Sequence, residues 1–303
     1  MTEIIQNDGT WVLDGDALRL TPGRDKNVGL LRRTLGEIRV PLAALAGVSF
    51  EQGKRAGRLR LRLRDGADPL LHATAGRLPE PHDPYQLLVE PERYGVAEYL
   101  VDVVRDALRL EQVPSSPVTE YLLPGPALPL SVSAGDGTAS FDGERVRLEW
   151  NWKTEDAKAA GGARTLALAD ITAVEWLPAA GLENGFLRLT VRGAPADVPP
   201  KHDPNAVELW GFKKDPLMAL VAAAVQARLP HPAAPVDGAV PADGAVPGGP
   251  APVEAPADRG ADGTEEDHDV LLRRLRELGE LHRAGVLTDE EFTLAKQAVL
   301  RRL

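Results

Sequence analysis

One stretch of the chain occurs twice, and this repeat constrains the fold more than any other feature. GTWVLDGDALRL begins at Gly9, and GTASFDGERVRL begins 128 positions later at Gly137. In both copies an Asp-Gly pair separates two short runs with strand character, which is typical of a β-hairpin with a tight turn. The chain is therefore expected to contain two copies of one module.

Length and composition fit two globular domains and exclude several classes of protein. The 303 residues suffice for two domains of ordinary size, and no apolar run approaches the ~20 residues that a membrane-spanning helix needs. The start of the chain lacks a secretory signal pattern, and the absence of cysteine excludes disulfides and thiolate sites. These features predict a cytoplasmic protein. The net charge of −10 argues against bulk affinity for nucleic acid or membranes, although it can hide a local patch of opposite sign.

The first module, residues 4–112, is predicted to be a run of short antiparallel strands closed by one helix. Leucines at alternate positions of one strand predict a buried face, with arginines on the other face. Strand patterns occur at 11–13, 18–20, 38–42, 48–50, 59–63 and 85–90, and the pattern of an amphipathic helix occurs at 93–110.

The second module, residues 120–229, repeats this order after a proline-rich join. His202-Asp203-Pro204 matches His82-Asp83-Pro84, and a helix is predicted over 215–229. Its predicted inward face consists of Leu217, Leu220, Val221, Ala224 and Val225. The fold class is therefore α+β, with two small antiparallel barrels or sandwiches, each closed by a C-terminal helix.

This plan resembles the pleckstrin-homology-like (PH-like) fold. The turns between Pro41 and Val48 and between Leu168 and Val174 resemble an uncharacterised actinobacterial family of tandem repeats of that fold. The resemblance implies a fold and no activity, because one fold carries many unrelated functions.

Two further segments follow the second module. Residues 230–268 are rich in proline, alanine, glycine and aspartate, with eight acidic residues against Arg259, which predicts a disordered linker. Residues 269–303 show two amphipathic helices around Gly285, and Thr288 with Glu291 forms a capping box for the second helix.

The terminal segment resembles the short C-terminal domain known as SHOCT. The matching features are a leucine-spaced first helix, Gly285, Leu287-Thr288, Glu290-Glu291-Phe292, Lys296 and a final leucine. The resemblance implies oligomerisation or partner contacts, and so short a hairpin gains stability by association. The predicted association residues are Leu271, Leu275, Leu278, Leu281, Phe292, Val299 and Leu303.

Positive charge is concentrated in the first module. Twelve basic residues stand against three acidic ones between Arg19 and Arg64. Guanidinium groups bind oxyanions through paired donors, so this face is a candidate for an anionic partner, although a solvated face paired with acidic neighbours, or one that receives the acidic linker, has the same pattern. The candidate residues are Lys54, Arg55, Arg58, Arg60, Arg62 and Arg64.

Other motifs favour structural interpretations over catalytic ones. The two His-Asp-Pro motifs are expected to start turns, because neighbouring residues rarely form a catalytic pair. The six histidines show no metal-ligand spacing, and neither module has a nucleophile elbow or a phosphate loop, so no cofactor and no enzymatic activity are predicted. Trp150 and Trp152 are expected to share a strand face, where they either cover the barrel end or form a docking surface.

Taken together, these patterns predict a non-enzymatic binding and assembly protein. The modules are expected to bind a protein or an anionic partner, and the terminal hairpin to form homo-oligomers or hold another protein. The alternative is a peripheral membrane protein whose arginine face meets anionic lipid.

Overall fold

The computed structural model describes residues 2–195 and 198–234. The acidic linker beyond residue 234, the SHOCT-like hairpin and its predicted association residues lie outside these ranges. None of the helices within the described residues has the length and apolarity needed to cross a membrane.

The first module contains two antiparallel sheets and three α-helices. One sheet has four strands in chain order, β1 (Thr2–Gln6), β2 (Gly9–Asp14), β3 (Ala17–Pro22) and β4 (Ile38–Pro41). The other has three, β5 (Leu45–Glu51), β6 (Gly57–Leu63) and β7 (Gln86–Val89). The helices are α1 (Leu30–Leu35), α2 (Pro69–Ala73) and α3 (Tyr94–Leu110).

The second module repeats the two sheets. The four-stranded sheet contains β8 (Leu130–Ala134), β9 (Gly137–Phe141), β10 (Arg145–Trp150) and β11 (Arg164–Ala167). The three-stranded sheet contains β12 (Ile171–Leu177), β13 (Gly185–Val191) and β14 (Ala206–Leu209). The helices are α4 (Asp156–Ala159) and α5 (Met218–Gln226). The predicted α+β class with two sandwich-like modules is thus confirmed, whereas the first strands, β1 and β8, and the short helices were not predicted.

The repeated hairpin and the alternating strand form as predicted. Asp14 pairs with Ala17 across the first turn, and Gly15 has a φ of 62°, which a glycine adopts without strain. Along β6 the leucines are buried and the arginines between them are half-buried or exposed, because successive side chains of a strand point to opposite faces.

The closing helix of the second module is buried on all sides. All nine residues of α5 are buried, so the prediction of a single inward face is wrong. The reason is that the first module covers the outer side of this helix: Leu31, Leu70 and Ala73, from α1 and α2, belong to the same apolar cluster as α5. Four of the nine residues of α5 are alanines, whose small side chains let neighbouring segments approach closely.

Each module also contains one buried ion pair at the same place in the repeat. Asp8 lies 3.1 Å from Arg32, and Asp136 lies 2.7 Å from Lys158. Each aspartate also accepts a backbone N–H, from β7 at 3.0 Å and from β14 at 2.8 Å. In each module, the aspartate therefore links the turn after the first strand of the four-stranded sheet to the last strand of the three-stranded sheet.

Candidate functional site

The arginine face of the first module is partly neutralised within the chain. Arg58 and Arg60 both donate to Glu80, at 3.0 and 3.2 Å. Arg64 donates through Nε to the carbonyl oxygen of Ser116 at 2.8 Å. Three of the six candidate cations are thus held by oxygen atoms of the first module and the segment that follows it.

The other three candidates are free of such contacts among the described residues. Arg62 is exposed on β6, and Lys54 and Arg55 are exposed in the turn between β5 and β6. This leaves a smaller patch of uncommitted charge than the sequence pattern indicates.

The two His-Asp-Pro motifs form turns. Asp83 Oδ1 accepts the backbone N–H of Tyr85 at 2.9 Å, and Asp203 Oδ1 accepts that of Asn205 at 2.8 Å. His82 accepts a backbone N–H of α1 at 3.4 Å, and burial, followed by the charge of Arg32, lowers its pKa. The histidine and aspartate therefore serve different backbone groups, as the turn interpretation predicts.

A groove of about 570 Å³ next to the junction of the modules brings together two histidines that are distant in sequence. His72 Nδ1 lies 2.9 Å from the hydroxyl of Tyr121, and the ring of His231 lies 4.7 Å from that of Tyr121. Gln226 donates a hydrogen bond to the same hydroxyl at 2.8 Å. Nε2 of His231 forms a hydrogen bond of 3.1 Å with the carbonyl oxygen of Gly66. Burial, followed by the nearby His231, lowers the pKa of His72.

This histidine cluster holds chain segments together rather than presenting a reactive group. Tyr121 lies in the segment that connects the modules, and its hydroxyl is shared between α5 and His72. Within the described residues, no three histidine or acidic side chains converge as metal ligands. The geometry is that of a junction contact.

A third surface, on the second module, combines two exposed aromatic rings and one half-buried ring with lysines. We call it the aromatic–lysine surface; it consists of Trp152, Lys153, Trp210, Phe212, Lys213 and Lys214. The ammonium of Lys153 lies 5.4 Å from a ring centroid of Trp152, 5.3 Å from Trp210 and 5.0 Å from Phe212. Such distances give an attractive cation–π interaction. Trp152 is 89% exposed and Phe212 is 44% exposed.

Local hydrogen bonds fix the two loops that carry this surface. Asp215 Oδ2 accepts three successive backbone N–H groups, from Trp210 and Gly211 at 2.8 Å and from Phe212 at 3.0 Å. In the other loop, Asn151 donates to the carbonyl of Gly135 at 2.9 Å. The exposed rings therefore stand on loops with a defined backbone.

Trp150 and Trp152 have different environments. β10 ends at Trp150, so Trp152 lies beyond the strand and the argument for a shared face does not apply to it. Trp150 is half-buried, donates to the carbonyl of Gly162 at 2.9 Å and lies over Lys158. One ring thus covers the module, and the other is available for docking.

Sequence reasoning did not find Trp210, Phe212 and the lysines. The run WGFKK at 210–214 was the available signal, because it places two aromatic residues just before two lysines. The 210–214 run lies close to Lys153 only in the folded chain, so the spacing of these residues in the sequence does not reveal the contact.

Comparison with protein families identifies the repeat. A family model described as a domain of unknown function, DUF4429, matches residues 11–105 and 139–226, one segment in each module and together more than half of the chain. A search of curated proteins found no match. The chain therefore belongs to the DUF4429 family.

Proposed function

We propose that this protein is a non-enzymatic binding and assembly protein whose main binding surface is the aromatic–lysine surface. The observation that carries the proposal is the exposure of Trp152 over 89% of its surface, in a protein whose other tryptophans are at least partly covered. Exposed aromatic side chains beside cations are typical of binding surfaces, where tryptophan supplies a large share of the binding energy.

The architecture supports a PH-like identity for the modules. Each module has a four-stranded sheet, then a three-stranded sheet, then a closing helix, which fits the plan of a small antiparallel sandwich closed by a C-terminal helix. Small modules of this kind act as rigid supports for loops, and function is located in the loops.

The arginine face is the weaker candidate for the binding surface. Glu80 accepts from both Arg58 and Arg60, so an anionic partner would have to displace an existing carboxylate. This contact favours the interpretation of a face paired with its own acidic neighbour over the membrane-docking alternative.

Assembly is assigned to the terminal hairpin, residues 269–303. Its likeness to the SHOCT domain and its leucine-spaced helices support association with a second copy or with another protein. Association would raise the avidity of weak contacts made by each module. The composition, with no cysteine, supports the cytoplasm as the compartment.

The binding role predicts a partner whose capture depends on Trp152. Full-length protein immobilised in an extract of the source cells should retain a partner that is lost on Trp152→Ser, because the exposed ring supplies contact area. Arg147→Ser changes another exposed residue of the same module and should leave capture intact. Capture by all three proteins alike would contradict the proposed surface.

The assembly role predicts a change in mass when the hairpin is altered. By light scattering, the full chain should be oligomeric, and the double variant Leu275→Arg, Phe292→Arg should be monomeric, because charges at an apolar seam oppose association. Arg274→Glu, a polar position of the same helix, is the control and should keep the oligomer. If the wild-type chain is a monomer, self-assembly is ruled out, and the hairpin is left as a contact for another protein.

A further inference from the structure

The aromatic–lysine surface lies beside a third loop that also carries an exposed apolar side chain. Leu182, in the loop between β12 and β13, is 36% exposed. Asn184 of this loop donates to Glu208 at 2.9 Å, and a Cβ built on Gly211 would lie 3.5 Å from that of Ala179. The loop therefore lies next to the 210–214 run.

From these positions we infer that the three loops of the second module dock on an anionic lipid bilayer, with Trp152, Phe212 and Leu182 entering the headgroup region. The inference rests on the proposed binding function and names its partner. It differs from the arginine-face alternative in using the other module and in depending on aromatic insertion.

The shape of the surface favours a bilayer over a protein partner. A tryptophan that is 89% exposed has neighbours on almost no side, so it projects from the module and does not line a recess. Protein hot spots are usually seated in fitted pockets, whereas a fluid interface accepts projecting rings without a matching shape. Tryptophan in particular is enriched at the level of lipid headgroups.

The lysines are placed to meet lipid phosphates. Lys153 lies against three rings, so its ammonium would remain at headgroup level when the rings enter the interface. Lys213 and Lys214 are exposed, and no described residue forms an ion pair with them. Cations next to inserted apolar groups are the arrangement that anionic membranes attract.

Charge alone is too weak to hold the protein at a membrane. Glu155 and Glu183 lie on the same loops, the exposed Asp156 follows directly, and these three acids balance the three lysines; the whole chain carries a net charge of −10. Aromatic insertion must therefore supply most of the binding, so raising the salt concentration should weaken it only modestly.

Vesicle sedimentation with the full-length protein tests this inference. With vesicles of equal parts phosphatidylcholine and phosphatidylglycerol, the wild-type protein should pellet. The double variant Trp152→Ser, Phe212→Ser should bind at least about tenfold more weakly, the loss expected for removing two apolar anchors. Both residues are exposed, so the variant should fold, which circular dichroism would verify.

Two matched controls separate this surface from its competitors. Arg62→Ser removes a cation of the arginine face that has no ion pair among the described residues, and it should not change pelleting. Trp152→Phe, which keeps an aromatic ring, should retain most of the wild-type binding. Loss of pelleting with Arg62→Ser but not with the double variant would overturn the inference in favour of the arginine face.

The outcome also separates this inference from the proposed binding function. If the wild-type protein does not pellet but still captures a protein through Trp152, the bilayer inference is wrong and the binding function stands. If it neither pellets nor captures a partner, both fail.

Discussion

Replacing Lys158 with methionine is expected to lower the free energy of unfolding by about 3–5 kcal/mol, the typical cost of removing one partner of a buried ion pair. The side chains of Lys158 and Asp136 are 0% and 2% exposed, and they lie 2.7 Å apart. Methionine keeps much of the packed volume but leaves the carboxylate without its counter-charge. Urea denaturation followed by tryptophan fluorescence measures the loss, because four of the five tryptophans lie in the second module.

The exposed pair of Arg147 and Glu149 provides the matched control. These side chains are 55% and 47% exposed and lie 2.9 Å apart, so Arg147→Met should cost less than about 1 kcal/mol. Equal losses in the two variants would show that the buried pair does not hold the module together.

The dependence on pH gives this prediction a second test. Burial raises the pKa of Asp136, and Lys158 acts against that rise. The pKa of the folded carboxyl is raised even beside Lys158, and loss of this cation raises it further. A raised pKa favours folding below the unfolded pKa, and this contribution is lost as the pH rises. The deficit of Lys158→Met relative to the wild type should therefore be largest near neutral pH and should shrink as the pH falls towards about 4. A deficit that does not change with pH would point to lost packing instead.

The repeated hairpin and the strand patterns were predictable because they depend on local sequence. The Asp-Gly turn requires a glycine at positive φ, and the alternating leucines of β6 need only the two-residue period of a strand. The strand β1 was missed because only one of its five residues is buried. The strand β8 was missed although Leu130, Val132 and Ala134 alternate with serines in the two-residue period of a strand.

The candidate site was less predictable because it depends on contacts between distant segments. Lys153 and Phe212 are almost sixty positions apart and meet only because the loops after β10 and β14 lie side by side. The same limit applies to the arginine face, where Glu80 comes from the turn region before β7 and neutralises two residues of β6. Periodicity identifies which face a residue lies on, but not which charge lies opposite.

Leu70→Ala is expected to destabilise the second module although Leu70 lies in the first. Leu70 is 4% exposed and belongs to the apolar cluster that contains α5. Removing a buried leucine side chain typically costs about 2–5 kcal/mol. Hydrogen exchange should therefore show lower protection of the α5 and β12 amides in this variant.

Leu61→Ala is the matched control, because Leu61 is 7% exposed and belongs to the separate cluster of the first module. It should lower protection in β5, β6 and β7 and affect α5 less. If Leu70→Ala leaves the protection of the α5 amides unchanged, each module closes its own core without the other. The wild-type contacts argue against that, because a helix buried on every side needs a cover, and the residues that cover α5 come from the other copy of the repeat. The second module thus relies on residues of the first to cover its closing helix.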